Sequence, residues 1–277
     1  MKKSLMVGFL FLVVGLTACP STEPWRSTLF PEDWTPAFTD AQGHFLHDFS
    51  YAGYHRGEQE LPDTIAGDTY DVVADFDADN TGGTDATLAI QAAINAAQLT
   101  GGVVYFPAGL YRCDGVLRIT GGGVVLRGDG PDVTHLFFTR TDGMAYNSHI
   151  TFTGLVQRGD HHLLAQEGEN RSHSVFLTDA SDLQVGDEVA VGWVITDAFI
   201  AEHGMTEMWT SFDNQWRPFF RRTIVDIDTT VTPHQVVLDV PLRYPAKLRD
   251  SASLRLETGY LRECGLEDLS ISNAVSW

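Results

Sequence analysis

Lysine is almost missing from this chain. Of its 18 basic residues only Lys2, Lys3 and Lys247 are lysines, the other fifteen are arginines, and they stand against 37 Asp plus Glu for a formal net charge of -19. Phosphate binding needs a dense basic surface, so this field excludes DNA and RNA as partners. Cysteine is scarce too, with Cys19, Cys113 and Cys264 alone. Too few remain for a disulfide framework, and Cys113 and Cys264 lie so far apart in sequence that geometry decides whether they pair; two buried free thiols are expected. The apolar run Leu5 to Leu16 has twelve residues, short of the roughly 20 that cross a bilayer. Glycine-rich phosphate loops, a nucleophile elbow and zinc-ligand spacing are also missing. What is present is ample apolar material: 277 residues, 43% hydrophobic and 11% aromatic, which excludes disorder and suffices for one large domain or two small ones.

The N-terminus reads as an export signal: Lys2 and Lys3, then the apolar run, then Leu16-Thr17-Ala18-Cys19. That tetrapeptide resembles the bacterial lipobox, which implies removal of residues 1–18 and lipid attachment at Cys19; an ordinary secretory signal leaves the same compartment. The expected location is the bacterial cell envelope, with a lipid anchor in the membrane. Pro20 after the cysteine favours the outer membrane or cell surface. Residues 19–45 follow as a tether whose aromatics, Trp25, Phe30 and Trp34, pack on something. The segment Phe49 to Gly57, rich in Tyr, Gly, His and Arg, reads either as a groove-lining loop or as packing against the base of the domain.

From Tyr70 the pattern sharpens. Asp71-Val72-Val73 reads as a strand, Asp75 to Gly83 as a polar loop, and Thr84-Asp85 as the cap of a helix reaching about Leu99. Ala86, Ile90, Ala93, Ile94 and Ala97 fall on one face of it, and Gly101-Gly102 stops it. Short β-branched runs then alternate with glycine turns, at Val103–Phe106, Val116–Ile119, Val124–Leu126 and Leu136–Phe138. The first and third, and the second and fourth, are about twenty residues apart, a spacing that suits a solenoid of short strands. Tyr70 to Phe138, with the aspartate-rich loop, the Thr84–Ile94 helix, Gly101-Gly102-Val103-Val104-Tyr105-Phe106-Pro107-Ala108-Gly109-Leu110-Tyr111 and Leu126-Arg127-Gly128, resembles the opening of pectate-lyase-like right-handed parallel β-helices, a group that includes rhamnogalacturonases and uronate epimerases. The fold expected is therefore mainly all-β: an N-terminal cap and first β-helix coils over residues 46–143, a small antiparallel β insert over 144–242, and a resumed, incomplete coil over 243–277. Strands of the insert are expected at 175–177, 182–191, 223–227 and 235–240, from their alternation. The resemblance implies further coils after Trp277, so a truncated product or fragment is expected.

Three constellations are candidates for chemistry. Asp75, Asp77 and Asp79 alternate as calcium ligands do, but Asn80 stands where an EF-hand needs glycine and Ala86 where it needs glutamate. A looser calcium site stays open beside a solvated turn, and calcium is the only cofactor suggested. In the insert, His203, Glu207, Trp209, Trp216, Arg217, Arg221 and Arg222 would suit an anionic polysaccharide, since indoles stack on sugars and arginine forks grip uronate carboxylates. The competing reading is a core of Trp209, Phe212, Trp216, Phe219 and Phe220 with the arginines paired to Asp226 and Asp228. Arg158, Asp160, His161 and His162 form the third group; the resemblance implies an arginine base in calcium-assisted elimination, but no local motif assigns that role here. Catalytic residues in related folds sit on middle coils, so none is named. The expected function is action on an extracellular acidic polysaccharide by β-elimination or hydrolysis; the alternative is a noncatalytic glycan-binding or adhesin-like surface lipoprotein.

Overall fold

The computed structural model describes residues 25–47, 49–211 and 214–275. The expected export signal, the expected lipid-attachment residue Cys19, Phe212 and Trp277 lie outside the described residues. The chain divides into two units, Met1–Phe49 and Ser50–Trp277. In the first, the described residues form turns. Phe30 packs on Trp34 with ring centroids 5.2 Å apart, Trp25 is exposed, and the Asp40 carboxylate closes a turn by accepting from the Gln42 and His44 amides.

The second unit opens as stacked coils. β1 (Asp68–Asp71), β3 (Gly102–Phe106), β6 (Val124–Gly128) and β15 (Gly265–Glu267) lie side by side in one parallel sheet; β2 (Thr81–Asp85), β4 (Gly109–Cys113), β7 (Thr134–Phe138) and β16 (Ser270–Asn273) form a second; β5 (Leu117–Ile119) pairs with β8 (Ile150–Phe152) as a third. All these pairings are parallel. Each turn of chain thus climbs one strand spacing, and residues at the same register position stack: Val104 beside Leu126 beside Leu266, and Tyr111 beside Leu136 beside Ile271. Such stacking joins side chains of successive coils into a continuous core, in which Val104, Phe106, Tyr111, Leu126, Leu136 and Phe138 are fully buried.

The helix α1 (Thr87–Ala97) covers the first coil. Its expected apolar face is the buried one: Ala86, Ile90, Ala93, Ile94 and Ala97 all belong to the coil core. The Asp85 carboxylate accepts from the Thr87 amide at 2.9 Å, satisfying one of the donors that a helix start leaves open, and from the Asp114 amide at 2.9 Å, which pins the helix start to the next coil. Gly101, at φ 79°, ends the helix in the left-handed region.

The pairing departs from the expected repeat in one place. β7 stacks on Gly109–Cys113, while Leu117–Ile119 stacks on 150–152, so the second and fourth β-branched runs belong to different sheets. Gly109–Cys113 was hidden because Leu110 and Arg112 face outward between buried Tyr111 and Cys113.

Between β8 and β15 the chain leaves the coils and builds a six-stranded antiparallel sheet in the order β10-β13-β12-β11-β14-β9, from β9 (Gln157–Leu163), β10 (Ser174–Leu177), β11 (Glu188–Val194), β12 (Trp216–Asp228), β13 (His234–Leu238) and β14 (Ser253–Thr258). Residues 182–187 turn instead of extending, since the Leu183 amide donates to the Ala180 carbonyl and the Asp187 amide to Gln184. The sheet reaches residue 258 and not 242, because β14 pairs with both β11 and β9. Its own apolar core, around Val191, Trp193, Ile224, Leu238 and Leu254, also takes in Phe199 and Ile200 of the short helix α2 (Asp197–Glu202). The coils then resume with β15 and β16.

Candidate functional site

β12 carries the arginines of the second constellation, and the structure sorts them. Arg221 and Arg222 line a cavity of about 300 Å³ together with Arg56, Arg262, Glu188, Thr223, Tyr260 and Leu261. Arg217 stands opposite Trp193 and is not part of this lining. Neither Asp226 nor Asp228 pairs with Arg221 or Arg222. Three of the four guanidiniums have carboxylate partners: Arg56 with Asp239, Arg262 with Glu188 at 2.5 Å, and Arg221 with Glu257 at 3.5 Å.

The fourth does not. Arg222 donates to three carbonyl oxygens, of Val240 at 2.7 Å, Pro241 at 2.9 Å and Arg221 at 2.7 Å, and its guanidinium lies 5.0 Å from the Phe220 ring centroid. Among the described residues no carboxylate comes within ion-pairing distance of it. Burial pulls the Arg222 pKa down; Asp239 opposes this, and the nearby charges of Arg243 and Arg56 add to it. In a chain of charge -19, the cavity is a local reversal of sign, with one half-buried guanidinium held by carbonyl oxygens and facing no carboxylate.

Behind the cavity wall lies a carboxylate. Glu257 on β14 is 1% exposed; it accepts from Arg255 on one oxygen and from the Tyr260 hydroxyl on the other. Arg221 Nε donates to that same hydroxyl at 3.0 Å. Burial by itself would raise the Glu257 carboxyl, but the hydrogen bonds from Tyr260 and Arg255 and the charges of Arg255 and Arg221 hold it below the usual range. Tyr260 is raised, by burial first and by Glu257 next, with Arg221 pulling the other way.

The two indoles are elsewhere. Trp216 is not an open sugar platform: Arg255 lies 4.3 Å over its ring and His161 meets it edge-on at 4.6 Å. Gly192 makes room for that packing, since a Cβ there would fall 2.5 Å from the Trp216 ring and 2.1 Å from the Arg217 carbonyl. Trp209 is 38% exposed, packs edge-on against Phe199, and with Glu207 and Asp197 lines a different cavity of about 410 Å³. His203 is fastened between the Phe199 carbonyl and the Tyr244 hydroxyl. On β9, His161 bonds Ser253 at 3.0 Å and is held low by burial and then by Arg255, whereas His162 lies 3.6 Å from Asp182.

Asp75, Asp77 and Asp79 do not converge. Asp75 accepts from the Asp71 amide, Asp77 takes a left-handed conformation at φ 58°, and Asp79 accepts from the amides and hydroxyls of Thr81 and Thr84. Those four bonds hold the Asp79 carboxyl far below the usual range. Among the described residues no group of three or more His, Cys, Asp or Glu is placed to hold a metal ion, so the aspartates do the work of a turn.

A second polar row runs up the outward side of the first parallel sheet, where Asp71, Tyr105, Arg127 and Glu267 share register. Tyr105 donates to Asp129 at 2.6 Å and Arg127 to Glu267 at 2.5 Å, so the row's one cation is paired with a carboxylate of the row.

The residues matched by the family model described as "Rhamnogalacturonase A/epimerase, pectate lyase-like" are 71–215, spanning the coils as far as β8 and the first half of the antiparallel sheet. The chain belongs to this family. It is thereby a pectate-lyase-like, polysaccharide-related β-helix protein. Solved structures similar to it include the tailspike gp61 of Pseudomonas phage phi297, at 14% identity over 74% of this chain and 35% of that one, TM-score 0.46. The gp54 tailspike of Acinetobacter baumannii bacteriophage AP22, in complex with A. baumannii capsular saccharide, matches at 10% identity over 71% of this chain and 28% of that one, TM-score 0.43. The A-module of the Azotobacter vinelandii mannuronan C-5 epimerase AlgE4 is 39% identical over 27% of this chain and 21% of that one, TM-score 0.24. The chain therefore spans about a third of the length of the first of these. No curated protein matches it.

Tyr260 and Arg262 were not legible as site residues, whereas Arg56 falls in the Phe49–Gly57 segment for which the groove-lining alternative stood open. Arg56 comes from the Tyr54–Gly57 turn and Arg262 from the link between β14 and β15; only the fold brings them to Arg221 and Arg222.

Proposed function

We propose that this is a carbohydrate-active protein of the bacterial envelope, held by a lipid on Cys19 at the outer membrane or cell surface, that engages an extracellular acidic polysaccharide through the Arg56/Arg221/Arg222/Arg262 cavity. The observation that carries the reading is the half-buried Arg222 guanidinium without a carboxylate, in a cavity of about 300 Å³, the lower end of small-ligand pocket sizes and room for one sugar residue. A uronate carboxylate completes the charge pairing there and accepts a forked pair of N–H donors. Neutral sugars leave Arg222 as it is.

The test is titration of the full chain with short oligouronates and with neutral oligosaccharides of equal length, followed by NMR. Binding of the anionic set alone is expected. Arg222→Ala should weaken it roughly 10- to 100-fold, because a hydrogen bond to a charged partner is worth about 1.5–3 kcal/mol. Equal affinity for neutral oligomers, or an unchanged affinity in Arg222→Ala, overturns the reading.

A further inference from the structure

A second cavity, of about 370 Å³, lies against the outward face of the first parallel sheet. One wall is Val125 of β6 with Gly265 of β15, and the other is the strap 61–66, which brings Leu61 and Ile65. The strap is fixed at two points. Arg127 donates to the Asp63 carbonyl at 3.4 Å, and Gly67, at φ 105°, runs so close to the end of α1 that a Cβ there would fall 2.7 Å from the Gly101 carbonyl oxygen. Gly265 keeps the space open. In the outward column Val103, Val125, Gly265 it alone brings no side chain, and its backbone does not demand glycine: its φ is not positive, and a Cβ would meet Val125 at 3.9 Å, an ordinary contact. What glycine supplies at this position is volume.

Two carboxylates share the lining, Glu263 and Glu267. Glu267 is paired with Arg127 at 2.5 Å. Glu263 has no such partner among the described residues: it accepts from the uncharged Tyr54 hydroxyl, and His55 Nε2, 2.9 Å away, is charged only when protonated. Arg262, next in the chain, turns to Glu188 instead. The Tyr54 hydrogen bond holds the Glu263 carboxyl below its usual range. Tyr54 and Glu263 line this cavity while Arg56 and Arg262 line the arginine cavity, so two sites of opposite charge lie on either side of the same turn and link.

We propose that this second cavity binds a small aromatic amine, its ring between the strap and Val125 and its protonated nitrogen on Glu263. Apolar walls with one well-placed polar group are the usual form of a small-molecule site, and the volume falls within the range of such sites. A flat ring fills the space between two walls with little conformational entropy to lose, and an ammonium makes a charge-assisted hydrogen bond to the carboxylate. An anion is repelled there, so the ligand differs from the acidic glycan assigned to the arginine cavity.

The experiment titrates the full chain at pH 7 with tryptamine, tryptophol and indole-3-acetate, which carry a cationic, a neutral and an anionic tail on one ring, and follows binding by NMR. Tryptamine should bind roughly 10- to 100-fold more tightly than indole-3-acetate, the worth of a hydrogen bond to a charged partner. A net charge of -19 favours any cation, so two variants locate the site. Gly265→Leu fills the cavity and should abolish binding of tryptamine and tryptophol alike. Glu263→Gln keeps an acceptor for Tyr54 and should bring tryptamine down to the affinity of tryptophol, with tryptophol unchanged. Arg222→Ala should alter neither, which separates this result from the fate of the glycan reading. No tryptamine binding by the wild-type protein, equal affinity for tryptamine and indole-3-acetate, or unchanged tryptamine affinity in either folded variant overturns the proposal. Should Gly265→Leu fail to fold, Glu263→Gln decides.

Discussion

Cys113 closes β4 with its side chain among the inward-facing residues of the coil, beside Phe138 of the next one. Burial first, then the charges of Asp85 and Asp114, push its thiol up to about 12. Thiolate is the reactive form of cysteine, so at pH 8 the residue should resist alkylation. Cys264 is half-buried, its thiol near the carbonyls of Gly121 and Arg262, and both cysteines are free. Treatment of the folded protein with iodoacetamide, read by peptide mass spectrometry, should label Cys264 well before Cys113, and unfolding should equalise them. Equal labelling in the native protein would mean that the first coil opens to solvent on the timescale of the reaction.

At the scale of the element, α1 shows how closely the coils depend on their cap. Ile90 and Ile94 are fully buried among coil residues, while Leu88 is 81% exposed. Ile94→Ala removes methyl groups that stacked strands cannot close over, so a loss of about 2–5 kcal/mol is expected, and Leu88→Ala should cost under about 0.5 kcal/mol. Urea unfolding of both variants measures the contrast, and similar losses would show that the helix does not seal the core. This helix and the strands at 103–106 and 124–126 were legible because their signal is local: one apolar face at three- and four-residue spacing, and short β-branched runs between glycines. β9 was not legible, since Gln157-Arg158-Gly159-Asp160-His161-His162-Leu163 is nearly all polar and pairs with β14 across a long loop. The arginine cavity was half legible for the same reason. Arg221 and Arg222 are adjacent and conspicuous beside so many carboxylates, but Trp216 beside them gives no hint that Arg255 will cover its ring, and nothing local ties Tyr260 or Arg56 to the pair.

For the whole molecule, the net charge of -19 and the cationic cavity act on an acidic polymer with opposite signs and over different distances. The overall field repels a polyanion across a Debye length of about 30 Å at 0.01 M salt and about 8 Å at 0.15 M. On the proposed reading the cavity attracts a single carboxylate at contact, in a partly buried setting that salt screens far less. Adding salt from the lowest concentration should therefore quicken association with a long polyuronate, the reverse of the usual loss for oppositely charged partners. A two-residue uronate, carrying little charge, should show a much weaker rise. Stopped-flow association rates across this range distinguish the two fields: a steady fall in rate from 0.01 M upward with the long polymer would show that the arginines dominate approach as well as contact. A rise followed by a plateau would place the repulsion on the body of the chain and the recognition in the cavity.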